Sequence, residues 1–139
     1  MKALRYIAFA MVMALASGFA SQAQTIRDAD YHNIGRISPN GSVRNTESQP
    51  LGFFDKDGTI RDKKSNPIGQ IKGLQIYNNS GERIGYILND GSVRDGESRV
   101  LGRIDKSGKI YNENKAIIGY AQNVRYEWIA CYFFFHFFN

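Results

Sequence analysis

A single cysteine, Cys131, stands among 139 residues, so no internal disulfide forms and stability must come from packing and hydrogen bonds. Within an apolar run it reads as a buried, inert thiol. Histidine is almost as scarce. His32 and His136 lie far apart, and no acidic residues share a spacing with both. No G-x-S-x-G, H-E-x-x-H, paired-cysteine or phosphate-loop motif occurs, so the chain reads as a non-enzyme with no cofactor and no metal. Long apolar runs are lacking too: residues 6–16 and 128–138 are each too short to cross a bilayer as a helix. Charge of one sign is also scarce. The formal net charge is +5, and setting Lys2 and Arg5 aside leaves +3, too little to suggest a nucleic-acid partner.

What is present begins with an export signature. Lys2 and Arg5 precede the apolar stretch YIAFAMVMALA (6–16), and Ser21-Gln22-Ala23 places small residues at −3 and −1 before Gln24. That layout predicts a signal peptide over 1–23, cleaved on export, and a periplasmic or extracellular protein. The remainder is long enough for one domain with a modest core.

Glycine sets the organisation. An aliphatic-Gly pair recurs at Ile34-Gly35, Leu51-Gly52, Ile68-Gly69, Ile84-Gly85, Leu101-Gly102 and Ile118-Gly119, with spacings of 17, 17, 16, 17 and 17. Five of these pairs lead into a turn: SPNG (38–41), DKDG (55–58), KG (72–73), LNDG (88–91) and DKSG (105–108). Each turn precedes a β-prone run such as TIRD (59–62) or KIYN (109–112). The segment TIRD at 25–28 is the same run without a preceding partner, so the repeat is entered halfway through a unit.

The hairpin register follows from alternation. If Ile37 and Val43 share the buried face, Arg36 and Arg44 pair on the other, and Pro39-Asn40-Gly41 is a three-residue loop with glycine last. In the short third unit, pairing Ile71 with Ile76 leaves Gly73-Leu74 as a type II′ turn. One core is predicted from Ile37, Val43, Phe54, Ile60, Ile71, Ile76, Ile87, Val93, Ile104 and Ile110. The glycine of each Ile/Leu-Gly pair should face it, where a side chain would crowd the centre. Such short hairpins are unstable singly, so about five or six of them should close radially. The alternative is a β-solenoid with one coil per unit.

Units of the form I/L-G-x-I-x-x-x-G-x-I/V-R/Y-D/N resemble the small exported bacterial proteins described as five-fold β-flowers. The resemblance spans Thr25 to about Tyr120 and implies an all-β flower of hairpins, but it carries no assigned activity. Two departures stand out: the shortened third unit, and a last unit, GYAQNVRYEW (119–128), that lacks its turn glycine. The expected domains are a hairpin repeat over 24–123 and an apolar aromatic C-terminal strand over 124–139.

Three features bear on function. Asp55 and Asp57 alternate as in a calcium loop, but their counterparts are Ser38 and Asn40, Leu88 and Asp90, and Asp105 and Ser107. Leucine cannot ligate calcium, whereas a turn tolerates every one of these. The outward face should pair Phe53 with Arg61, Tyr86 with Arg94, and Arg103 with Tyr111, an arrangement open to cation–π stacking. Such a face suits a glycan, a peptide or an envelope protein. The tail WIACYFFFHFF (128–138) alternates Trp128, Tyr132, Phe134 and Phe138 against Phe133, Phe135 and Phe137, apolar on both faces. It is expected to close the fold as a strand, packing on the repeats or on the TIRD strand (25–28). Alternatively it mediates self-association, assembly or membrane-surface attachment. The reading is an exported, non-catalytic binding or structural module of the cell envelope.

Overall fold

The computed structural model describes residues 24–139, so the expected signal peptide lies outside the described residues. Twelve short strands form one closed antiparallel barrel. They are β1 (Gln24–Asp28), β2 (Asn33–Ile37), β3 (Ser42–Arg44), β4 (Pro50–Phe54), β5 (Thr59–Asp62) and β6 (Pro67–Lys72), followed by β7 (Gln75–Asn78), β8 (Arg83–Ile87), β9 (Ser92–Asp95), β10 (Val100–Ile104), β11 (Lys109–Asn112) and β12 (Ile117–Ala121). Every strand pairs with its sequence neighbours, and β1 pairs with β12 to close the ring. A ring of antiparallel hairpins replaces the solenoid alternative and leaves no sheet edge open.

The derived register is the observed one. Ile37 faces Val43 and Arg36 faces Arg44, Phe53 faces Arg61, and Ile71 faces Ile76. Tyr86 faces Arg94, and Arg103 faces Tyr111. Gly73 has φ +63 at the first position of the two-residue turn, as a type II′ turn requires. The unpartnered TIRD run is β1, and Arg27 faces Tyr120 across the closing seam. The last unit needs no turn glycine because its second strand comes from the other end of the chain.

Hairpins also lock to each other through their turns. The Phe54 N–H donates to the Gly41 carbonyl at 2.9 Å, and Ile71, Ile104 and Ala121 donate likewise to Gly58, Gly91 and Gly108. A Cβ at Gly41 would collide with the Phe54 carbonyl oxygen, so glycine is needed there for contact as well as for its φ of +100.

The interior has two layers. In the first, each strand contributes one buried side chain: Ile26, Ile37, Val43, Phe54, Ile60, Ile71, Ile76, Ile87, Val93, Ile104, Ile110 and Ala121. All ten predicted core residues are among them. Ile26 and Ala121, from the two strands that meet at the seam, complete the ring. The second layer is built from the six glycines on alternate strands, which leave the barrel hollow at that level.

The tail fills this hollow, and here the strand expectation is corrected. Residues Tyr126–Phe133 form a helix, α1, and Phe134 to Asn139 continue without regular structure. The physical cause is the surroundings. A segment enclosed on all sides is apolar all round, and periodicity then cannot separate a buried helix from a buried strand. Ile129, Ala130, Cys131 and Tyr132 are buried within α1. No helix among the described residues is long and apolar enough to cross a membrane.

Candidate functional site

The tail meets the barrel one ring to one glycine. A Cβ on Gly119 would strike the Phe133 ring, and one on Gly85 would strike Phe135. At Gly102 the Phe134 ring would lie 2.6 Å away, and at Gly69 the Phe137 ring would lie 2.6 Å away. Phe138 covers Gly52, and the Tyr132 hydroxyl sits 3.1 Å from the Cβ position of Gly35 while donating to the Ile34 carbonyl at 3.4 Å. From Tyr132 to Phe138 the chain thus steps around the whole ring, one unit per residue. His136 is the exception: it turns outward at φ +55, exposed, with its Nδ1 2.7 Å from the Asn139 amide. Trp128 stacks on Phe54 at 5.0 Å with an interplanar angle of 4°. Six glycine recesses take these rings, so the tail packs on the repeats from within the barrel. Counting six Ile/Leu-Gly pairs against six aromatics in 132–138 would have been the signal.

The outer wall carries the other predicted group. Phe53, Arg61, Tyr86, Arg94 and Tyr111 are half-buried on it, and Arg103 is exposed. The expected cation–π stacks do not form across these pairs. Among the described residues, a cation lies over a ring at Arg27–Tyr31 (4.6 Å), Arg83–Tyr86 (4.9 Å), Lys72–Tyr77 (5.2 Å) and Arg125–Trp128 (5.2 Å).

The reason is a competing acceptor. The loops after β1, β3, β5 and β9 hold Tyr31, Ser48, Ser65 and Ser98 at positive φ, which turns their carbonyls toward the wall. Arg27, Arg44, Arg61 and Arg94 donate Nη1 to these carbonyls at 3.2, 2.7, 2.9 and 2.8 Å. Arg61 also donates Nε to Asp55 at 2.6 Å, and that hydrogen bond raises the pKa of the guanidinium. The guanidinium groups of Arg36 and Arg103 make no hydrogen bond or ion pair with any described residue.

Sequence reasoning missed a third cluster. Tyr31 packs edge-on against Tyr120 at 4.9 Å, and with Arg27 and Thr25 they line a recess of about 300 Å³ at the closing seam. Setting β1 against β12 would have revealed it.

The turn acids have structural duties. Asp57 accepts the Thr59 N–H at 2.9 Å, which lowers its pKa. Asp28, Asn45, Asp62, Asn78, Asp95 and Asn112 each accept two backbone N–H groups, from the residues two and four positions on. Such turns serve Asp and Asn equally. One loop also gathers Asp28, Asp30 and His32, whose ligand atoms lie within 4.8 Å of one another, exposed except for Asp28. Burial pushes the Cys131 thiol well above its ordinary value, as befits an inert sulfur.

A pH dependence follows. Asp62 and Asp95 are lowered below 3.8, first by the backbone N–H groups of Asn66 and Arg99. A lowered carboxylate adds stability above its unfolded pKa and loses it as pH falls through the folded one. The melting temperature should therefore be flat from roughly pH 7 to 5 and fall below about pH 4. Asp62→Asn with Asp95→Asn keeps the turn, as Asn45 does, and should make the fall shallower in a pH series of thermal melts. An unchanged acid limb would show that these carboxylates carry none of it.

A family model described as "5-fold beta-flower protein" matches residues 23–137, and the chain belongs to that family. No curated protein and no solved structure matches it. Five of its hairpins are continuous in sequence, and β12 with β1 makes the sixth.

Proposed function

We propose that this beta-flower protein is an exported, non-catalytic binding module of the cell envelope, whose outer wall holds an anionic partner such as an acidic glycan or peptide. The observation that carries this reading is the uncompensated wall. Of Arg27, Arg36, Arg44, Arg61, Arg94 and Arg103, only Arg61 has a described carboxylate within 4.0 Å. Arg36 and Arg44 face each other directly across β2 and β3, an arrangement that costs energy until an anion bridges it. Guanidinium forks suit carboxylate and sulfate oxygens, and the neighbouring Tyr and Phe rings add contact area. A rigid barrel with a filled interior presents this surface at little ordering cost on binding.

The geometry selects the variant for a test. Arg61 and Arg94 hold loop carbonyls, so removing them would disturb the fold as well as the charge. Arg36→Gln with Arg103→Gln removes two charges whose guanidinium groups make no hydrogen bond or close ion pair, though Arg103 still acts on the Asp90 carboxylate from a distance. Binding to a polyuronate column should weaken about tenfold or more and become less salt-dependent, with the melting temperature nearly unchanged. Retention equal to that of the native chain would reduce the wall to solvated decoration.

A further inference from the structure

At the turn end of the barrel the rim is uneven, because the third hairpin turn has two residues where the others have three. Leu74, last in this turn, takes the place of Gly58 and Gly91 and accepts the Ile87 N–H at 2.8 Å, while Gly73, first in it, has nothing within 4 Å of its Cβ position. The turn is one residue short on the Gly73 side, which leaves a notch there. The first turn of α1 faces this notch, and a groove of about 900 Å³ runs between them. Its floor is the Trp128–Phe54 stack with Ile71 beside it. Its rim carries both signs of charge in balance: Lys56, Lys72 and Arg125 against Asp55, Asp57 and Glu127.

This balance decides the class of ligand. A balanced rim has no net attraction for an ion of either sign, but it supplies donors and acceptors around an aromatic platform. Glu127 is half-buried and burial raises its carboxyl pKa, opposed by the nearby Arg125 charge and its own backbone N–H. A partly dehydrated acceptor whose only hydrogen bond is local gains from a ligand hydroxyl. Trp128 is half-buried and stacked on Phe54, and the exposed Arg125 lies over its ring, 5.2 Å from the centroid. A flat apolar face edged with hydroxyls fits there in place of the guanidinium.

We propose that the groove binds a short neutral oligosaccharide. A pyranose ring lies against Trp128, a hydroxyl donates to Glu127, and others meet Lys56, Asp57 and Asn40. The site is separate from the cationic wall, and its ligand is of a different class.

Trp128 is the only tryptophan and lines this groove, so its fluorescence reports on ligands that enter it. The full mature chain would be titrated with chitotriose, cellotriose and maltotriose, each up to about 10 mM. At least one should give a saturable change. Glu127→Ala should weaken it about tenfold, and so should a variant with one Asn inserted after Gly73, which restores the three-residue turn and fills the notch. Both variants must show a cooperative melt, and Arg36→Gln with Arg103→Gln should leave the titration unaltered. No saturable change with any of the three sugars overturns the proposal. An equal response in both groove variants does so as well, as does saturation only by a uronic-acid trimer.

Discussion

Truncation after Trp128 is expected to abolish the cooperative unfolding transition of the barrel. The deletion removes Ile129, Ala130 and Cys131, all buried, and every ring that fills a glycine recess. Fully burying one such ring is worth about 1.5–3 kcal/mol. Two of the six are buried and four half-buried, so their loss is on the order of 10 kcal/mol. That equals the whole net stability of a typical domain, about 5–15 kcal/mol. The barrel cannot collapse to heal the void, because its circumference is fixed by twelve paired strands. Circular dichroism melts and the near-ultraviolet signal of the aromatic residues would read the outcome. A truncated chain melting at the native temperature would show that the hairpins hold without their plug.

Gly69→Ala should destabilise the protein by about 2–4 kcal/mol, a large effect for one methyl group. Its Cβ would lie 2.6 Å from the Phe137 ring and 2.9 Å from the Tyr77 carbonyl oxygen, both too close. Phe137→Leu alone should cost about 1–2 kcal/mol, since a half-buried ring is replaced by a smaller side chain. In the double variant the shorter leucine makes room, and a coupling of about 1–2 kcal/mol should appear in a double-mutant cycle. Strict additivity in denaturant melts would mean that the ring and the glycine do not meet. Gly81 supplies the contrast. It has φ +86 but nothing within 4 Å of its Cβ position. Gly81→Asn should therefore be nearly neutral, because asparagine tolerates the left-handed region.

The two expectations rest on one architectural fact. The repeat cannot supply its own second core layer. A glycine at each of six positions brings the walls no side chain there, so the centre must be filled by residues outside the repeat. Six aromatics in Tyr132 to Phe138 do so, and His136 is left outside the ring.

Much of this was legible beforehand where a rule acts locally. Arg36 opposite Arg44, Ile71 opposite Ile76, and glycine first in the short turn all follow from alternation and turn stereochemistry over fewer than ten residues. Asp62 and Asp95 recur at the same place in their units as Asn45, Asn78 and Asn112, and each closes its loop by an Asx turn within five residues. The wall was legible as a set of positions but not as a set of contacts. Period-2 alternation places Arg61 beside Phe53, yet the guanidinium turns to Asp55 and to a carbonyl that a positive φ at Ser65 presents. Charge-assisted hydrogen bonds win over ring stacking at that site.

The sequence by itself determined the hairpin, its register, its turns and the inward glycines, because each depends on neighbours close along the chain. Tertiary structure alone decided that β1 closes on β12, that the tail enters as a helix, and that each ring finds its own glycine. Those outcomes join residues nearly a hundred positions apart, such as Ile26 with Ala121 and Tyr132 with Ile34. No local preference encodes them. They follow from closing the circle, which fixes the size of the hollow, and from the need to fill it at native packing density.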